Sequence, residues 1–280
     1  MEFALLSVLV GLGLTVSLLG GGDDDDDAPA ANAGDDVITG TDGPDRIEAG
    51  AGDDIVNALG GNDQLFLGIG SDEANAGEGD DTVFAGGGSD IVTGGPGNDE
   101  VFLDDGPDRS IGADLMGVPQ DGGNDTINGG GGNDEILDRF GTNTLRGNEG
   151  ADILNAVDNP GDGTPDRLFG GFGSDTLIGD DGDTLTGDGD PMNTQVDTFE
   201  GRFDELGEDN ITLTDFDPAT ETLTLTFDSG TFAALDNSDL TFSQDGVTGD
   251  VQLFVDGTLV AILEGQAPGF TPAGITVQTV

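Results

Sequence analysis

Residues 34–110 read, in blocks of nine, GDDVITGTD, GPDRIEAGA, GDDIVNALG, GNDQLFLGI, GSDEANAGE, GDDTVFAGG, GSDIVTGGP, GNDEVFLDD and the start of a ninth, GPDRS. The third residue is always aspartate: Asp36, Asp45, Asp54, Asp63, Asp72, Asp81, Asp90, Asp99 and Asp108. Two residues before each stands a glycine: Gly34, Gly43, Gly52, Gly61, Gly70, Gly79, Gly88, Gly97 and Gly106. Two residues after come Ile38, Ile47, Val56, Leu65, Ala74, Val83, Val92, Val101 and Ser110. Gly and Asp favour any turn, so one copy would carry little weight. Nine copies in unbroken register need a structural cause. Each block divides into a six-residue turn, where glycine permits positive φ and close backbone approach, and a three-residue strand. The apolar residue of that strand points inward, because side chains alternate faces.

On these residues the chain resembles the RTX, or hemolysin-type, calcium-binding repeat family, whose pattern is G-G-x-G-x-D-x-U-x. The resemblance covers most of the chain after residue 33. It implies a parallel β-roll in which two nonapeptides make one coil and calcium is held between successive turns. Strands on one side are then eighteen residues apart. The inward columns would be Ile38, Val56, Ala74 and Val92 on one side, and Ile47, Leu65, Val83 and Val101 on the other. Asp36 would lie beside Asp54, Asp45 beside Asp63, and so on through seven pairs to Asp90 and Asp108. Adjacent carboxylates and turned-in carbonyls without a basic partner form an all-oxygen cage. Such a cage suits calcium, which takes six to eight oxygens at roughly 2.3–2.6 Å. The glycines and aspartates named above are the expected metal-site residues. Ala74 is a small core residue, Leu59 and Asp104 replace the usual second glycine, and Ser110, after Pro107, reads as the end of this array.

The composition agrees with an acidic metal-binding repeat. There are 6 basic residues, all arginine, against 58 acidic ones, giving a net charge of -52, and no cysteine, histidine, tryptophan or tyrosine. Phosphate binding needs basic patches, so nucleic acid is excluded as a partner. Disulfides are excluded, which leaves metal as the source of extra stability. Without histidine there is no zinc-protease motif and no Ser-His-Asp triad. The aspartates that might serve carboxylate chemistry are already occupied as ligands, so no catalytic residues are expected.

Residues 1–22 are read as a hydrophobic helix. Phe3 to Leu19 is apolar apart from Ser and Thr, and seventeen helical residues span about 25 Å, slightly short of a roughly 30 Å hydrocarbon core. A membrane anchor through residues 3–19 is the favoured reading. A signal peptide is the alternative, although Glu2 and the lack of Lys or Arg do not suit its n-region. Residues 23–33 read as an acidic linker, 34–110 as a first repeat array and 111–122 as an insertion loop. Residues 123–190 are a second array: Gly123 with Asp125, Gly132 with Asp134, Gly141 with Asn143, Gly150 with Asp152, and, after an irregular stretch, Gly173 with Asp175. Asn143 keeps a side-chain oxygen but loses the charge, so its site should be weaker. From Gly179 the period blurs. Residues 191–280 are expected to form a β-rich cap, which the family comparison associates with an uncleaved secretion signal. Thr222–Phe227 alternates as a half-exposed strand, and Val251–Leu263 is a hairpin turning at Asp256-Gly257.

The expected fold is therefore all-β: a parallel β-roll with a C-terminal β-rich capping domain and an N-terminal hydrophobic helix. The expected function is that of a non-enzymatic extracellular protein that folds on binding several calcium ions after export. A surface-tethered structural or adhesive module and a calcium-dependent carbohydrate-active protein are the alternatives.

Overall fold

The computed structural model describes residues 15–18, 33–111, 123–158, 164–180, 182–188, 195–203, 210–228, 235–266, 268, 270–272 and 274–279. Those residues form strands and turns, with no α-helix among them. The strands alternate between two sheets. One sheet runs Thr15–Leu18, Asp36–Thr39, Ile55–Asn57, Glu73–Asn75, Ile91–Thr93, Arg109–Ile111, Glu135–Leu137, Ile153–Asn155, Thr176–Gly179, Thr198–Phe203, Thr222–Phe227 and Ile275–Thr279. The other runs Arg46–Ala51, Gln64–Gly70, Thr82–Gly88, Glu100–Phe102, Thr126–Gly131, Thr144–Glu149, Arg167–Phe172, Thr184–Asp188, Ile211–Leu213 and Thr258–Leu263, then Val251–Val255 and Leu240–Gln244. All pairings are parallel except the last two. Because successive nonapeptides place their strands in alternate sheets, the chain winds as a spiral of coils, which is the β-roll.

The core departs from the two expected columns. Each strand sends in a second residue, two positions beyond the first. Ile47 is followed by Ala49, Val56 by Ala58, Leu65 by Leu67, Ala74 by Ala76, Val83 by Ala85 and Val101 by Leu103, all buried. That position varies among Ala, Leu, Gly and, after Ile136, Asp138, so periodicity of hydrophobicity does not mark it. In the longer strands of the second sheet, such as Gln64–Gly70, it lies within the strand, and at Ala58, Ala76 and Leu103 it is the first residue after a three-residue strand. On the outer face of the second sheet the same register stacks Phe66, Phe84 and Phe102 with centroids 5.1 and 4.9 Å apart. The Arg46 guanidinium lies over the free face of Phe66 at 4.6 Å.

Three expectations meet the structure differently. The helix expected over residues 3–19 is a strand at Thr15–Leu18, paired in parallel with Asp36–Thr39. There it covers an edge that would otherwise present unpaired backbone groups, and Thr15 and Val16 are β-branched. The rest of that segment lies outside the described residues, as do residues 23–32 and 112–122. No helix among the described residues is long and apolar enough to cross a membrane. Ser110 does not end a ladder: its strand pairs with Ile91–Thr93 before it and Glu135–Leu137 after it. The separate capping domain expected over 191–280 is not found among the described residues. Thr198–Phe203, Thr222–Phe227 and Ile275–Thr279 extend one sheet, Ile211–Leu213 and Thr258–Leu263 the other, and a single core cluster reaches from Ile38 to Val277. At this end its aliphatic residues are joined by Phe199, Phe203, Phe216 and Phe227. The hairpin at Asp256-Gly257 is as read, with φ of 49° and 79°, the paired left-handed values its two-residue turn demands.

Candidate metal centre

The winding brings the repeat aspartates into two files along the roll. In the first file the backbone N–H of each aspartate donates to Oδ1 of the next, linking Asp36, Asp54, Asp72, Asp90, Asp108, Asp134, Asp152, Asp175 and Asp197 at 2.7–2.9 Å. The second file links Asp45, Asp63, Asp81, Asp99, Asp125, Asn143, Asp166 and Asp183 at 2.5–2.9 Å. All of these side chains are buried. The pairs anticipated eighteen residues apart from Asp36 to Asp108, and those of Asp125 with Asn143 and Asp134 with Asp152, are neighbours here. Both files also cross the two irregular stretches without a break.

One oxygen of each carboxylate is thus engaged. The other is not. Oδ2 of Asp54, Asp63, Asp72, Asp81, Asp90, Asp108, Asp134, Asp152 and Asp166 is buried without a hydrogen-bond partner. A buried carboxylate oxygen without compensation costs several kcal/mol or protonates. The walls around these atoms leave no room for side chains. A methyl group on Gly94 would come within 2.5 Å of Asp99 Oδ2. One on Gly61, whose φ is 133°, would lie 2.6 Å from the Gly43 carbonyl oxygen. Gly34, Gly52, Gly70, Gly88, Gly106, Gly132, Gly150 and Gly173 run beside one file, and Gly43, Gly61, Gly79, Gly97, Gly123 and Gly141 beside the other, so carbonyls of consecutive coils stack in close approach. Among the described residues no three carboxylates converge on one point. The acidic groups are spaced one per coil, and backbone carbonyls would have to complete a coordination shell. Unpaired carboxylate oxygens, carbonyls and an absence of nitrogen or sulfur donors fit a hard cation of calcium's type.

The electrostatics agree. Burial pushes Asp63 up to about 7, against the pull of the Asp45 N–H, with the charges of Asp81 and Asp45 adding to the rise. Burial likewise lifts Asp72, Asp81, Asp90, Asp108 and Asp134 to about 6 from an ordinary 3.8. Asp166 goes furthest, to about 9, through burial and then the charge of Asp183, which itself rises to about 8. Without a cation these carboxyls take up protons at higher pH than free aspartates do.

Two sets of residues escape the nonapeptide pattern. Asp183 and Asp197 extend the files beyond Asp166 and Asp175, hidden in sequence by uneven spacers. Their signal is the surviving Asp-x-apolar triplet, Asp183-Thr184-Leu185 and Asp197-Thr198-Phe199. The second file stops there because Thr184 pairs with Thr212, which places buried Ile211 beside Asp183. The other set is an outer ladder from the residue just before each aspartate, running in the opposite sense. Asp35 accepts from the Asp53 N–H at 3.0 Å, Asp53 from Ser71 at 2.9 Å, Asp80 from Asn98 at 2.9 Å, Asn98 from Asn124 at 2.9 Å and Asn133 from Ala151 at 2.9 Å. Neighbouring coils are therefore clamped from both sides.

The family model of the RTX calcium-binding nonapeptide repeat matches the chain in four copies, at residues 31–65, 66–109, 121–154 and 160–190, together more than half of it. Among curated proteins none matches the chain significantly.

Proposed function

The chain belongs to the RTX calcium-binding nonapeptide repeat family, and from that premise we propose that it is a non-enzymatic extracellular protein that calcium folds after export. It is a calcium-binding RTX-type protein, and its repeats bind several ions. The observation that carries the folding reading is the row of buried, unpartnered Oδ2 atoms from Asp54 to Asp166. In the unfolded chain these carboxylates are hydrated and charged. In the roll they are stripped of water and stacked about one strand spacing, roughly 4.8 Å, apart. Calcium bound at the files supplies the missing compensation, so its binding free energy becomes folding free energy.

Each site adds RT ln(1 + [L]/Kd), about 2.7 kcal/mol when free calcium is a hundred times Kd. Several sites together exceed a typical stability of roughly 5–15 kcal/mol. A calcium-poor cytoplasm would keep the chain unfolded and exportable, and millimolar calcium outside would fold it. Magnesium substitutes poorly, because it demands octahedral geometry and holds its waters. The lack of histidine, lysine and cysteine supports a role without catalysis. Far-ultraviolet circular dichroism in chelator, then in calcium, tests the switch: the β-spectrum appears only with calcium. A β-spectrum unchanged in chelator at neutral pH refutes it, even if calcium still binds.

A further inference from the structure

The second file contains one member that is not an aspartate, and the exchange is isosteric. Asn143 keeps the ladder: its Oδ1 accepts the Asp125 N–H at 2.9 Å, and its own N–H donates to Asp166 Oδ1 at 2.5 Å. The only atom that changes is the one that lies buried and unpartnered in the aspartate turns. Here it is Nδ2, and it donates to the carbonyls of Phe140 at 2.9 Å and Gly141 at 3.4 Å. The network fixes which end of the amide is which, since a flipped side chain would set its NH2 against the Asp125 N–H. The Gly141 carbonyl is engaged a second time, by the Thr164 hydroxyl at 2.6 Å. In Asn143's turn, then, the side chain brings donors to oxygens that would otherwise need a cation. It also carries no charge that a cation would neutralise.

Resting on the calcium reading above, we propose that the turn of Asn143 is a metal-free joint in which the side-chain amide takes the place of an ion. The motif counts this turn as a repeat with a weaker ligand. The geometry makes it a turn that holds its own shape. Its consequence is that the second file loads calcium in two blocks, Asp63 to Asp125 and Asp166 onward, while the first file is continuous from Asp36 to Asp197. The amide's two contacts lie within its own turn, so that turn keeps its shape when calcium is withdrawn.

Two substitutions test this in opposite directions, with bound ions counted by native mass spectrometry in saturating calcium. Asn143→Asp recreates an unpartnered Oδ2 and is expected to bind at least one ion more than the wild type. Asn133→Asp, which adds the same charge on the outer ladder, is expected to add none. An unchanged count for Asn143→Asp overturns the proposal. Should that variant fail to fold, Asp81→Asn and Asp81→Ala decide. Both lose an ion, but only the asparagine supplies amide donors within its turn, so it should reach half-folding at a lower calcium concentration than the alanine variant. Equal midpoints overturn the proposal. A wild-type chain that binds no calcium would instead overturn the calcium reading on which the joint depends.

Discussion

Ser110 stands directly beside Ile136 in the parallel ladder of the first sheet, twenty-six positions later in the chain, and beside Val92 on its other side. Its hydroxyl is buried with no hydrogen-bond partner. Burying an unsatisfied hydroxyl costs about 1–3 kcal/mol, so Ser110→Val should raise the melting temperature of the calcium-loaded protein. A variant that melts no higher than the wild type would show that this oxygen is satisfied in solution.

The neighbouring columns respond in the opposite direction. Val83 and Val92 are fully buried. Val83→Asp buries a charge with no counter-ion and should abolish cooperative melting of the roll even in saturating calcium. Val92→Ala removes two methyl groups and should cost about 1–3 kcal/mol. Differential scanning calorimetry distinguishes the two, and a wild-type melt for Val83→Asp would mean that its side chain does not face inward.

Leu59 holds a left-handed backbone, φ 82°, at a place where other coils use glycine. That conformation costs a side-chain-bearing residue roughly 1–2 kcal/mol, part of which is offset because glycine is freer in the unfolded chain. Leu59→Gly should therefore stabilise slightly, while Gly77→Leu, one coil on, should destabilise strongly because its Cβ would meet the Leu59 carbonyl. Urea midpoints of both variants provide the check.

The carboxylates predict the pH dependence of the calcium-free protein. Their folded-state values are raised, so the roll binds more protons than the unfolded chain. The stability contributed by these groups is complete below about 3.8 and falls as pH rises through the values near 6 and 7 of Asp72, Asp81, Asp90, Asp108, Asp134 and Asp63. For Asp166 and Asp183 the loss continues to about 9 and 8. In chelator, β-structure should therefore strengthen as pH falls from 7 toward 4, and calcium binding near pH 6 should release protons. Calorimetry in buffers of differing ionisation enthalpy would expose a binding event without proton release, which contradicts the prediction.

How much of this was legible depended on whether a residue type is forced by its place. The aspartate files were readable because each Oδ1 must reach the backbone N–H of the residue one coil before it, which tolerates only Asp or Asn there. The inward residue at Ile47 or Val83 was readable because it is apolar in every repeat except at Ser110. Its companion two positions on was not, since Ala49, Leu67 and Gly94 all satisfy a site limited by volume alone. The outer ladder was equally silent, because Asp53, Asn98 and Ser71 all occupy its positions. The strand at Thr15–Leu18 was read as helix because an apolar run fits either state, and only the edge at Asp36–Thr39 distinguishes them. The strands after Asp197 were seen individually, but sequence could not tell a separate cap from more coils of the same sheets.

The paired clamps of inner and outer ladders have a consequence for the length of the roll. Asp63 accepts from Asp45 and donates to Asp81, and nothing in the cross-section refers to coils further away. Excision of residues 64–81 would set Asp63 in the place of Asp81, with its N–H facing Asp99, and every surviving column would close on a like residue. A gain or loss of nine would instead exchange the two sheets downstream and carry the stacked phenylalanines to the other face. The repeating unit of this fold is a coil of two nonapeptides, and its length can change in steps of eighteen residues without breaking either ladder.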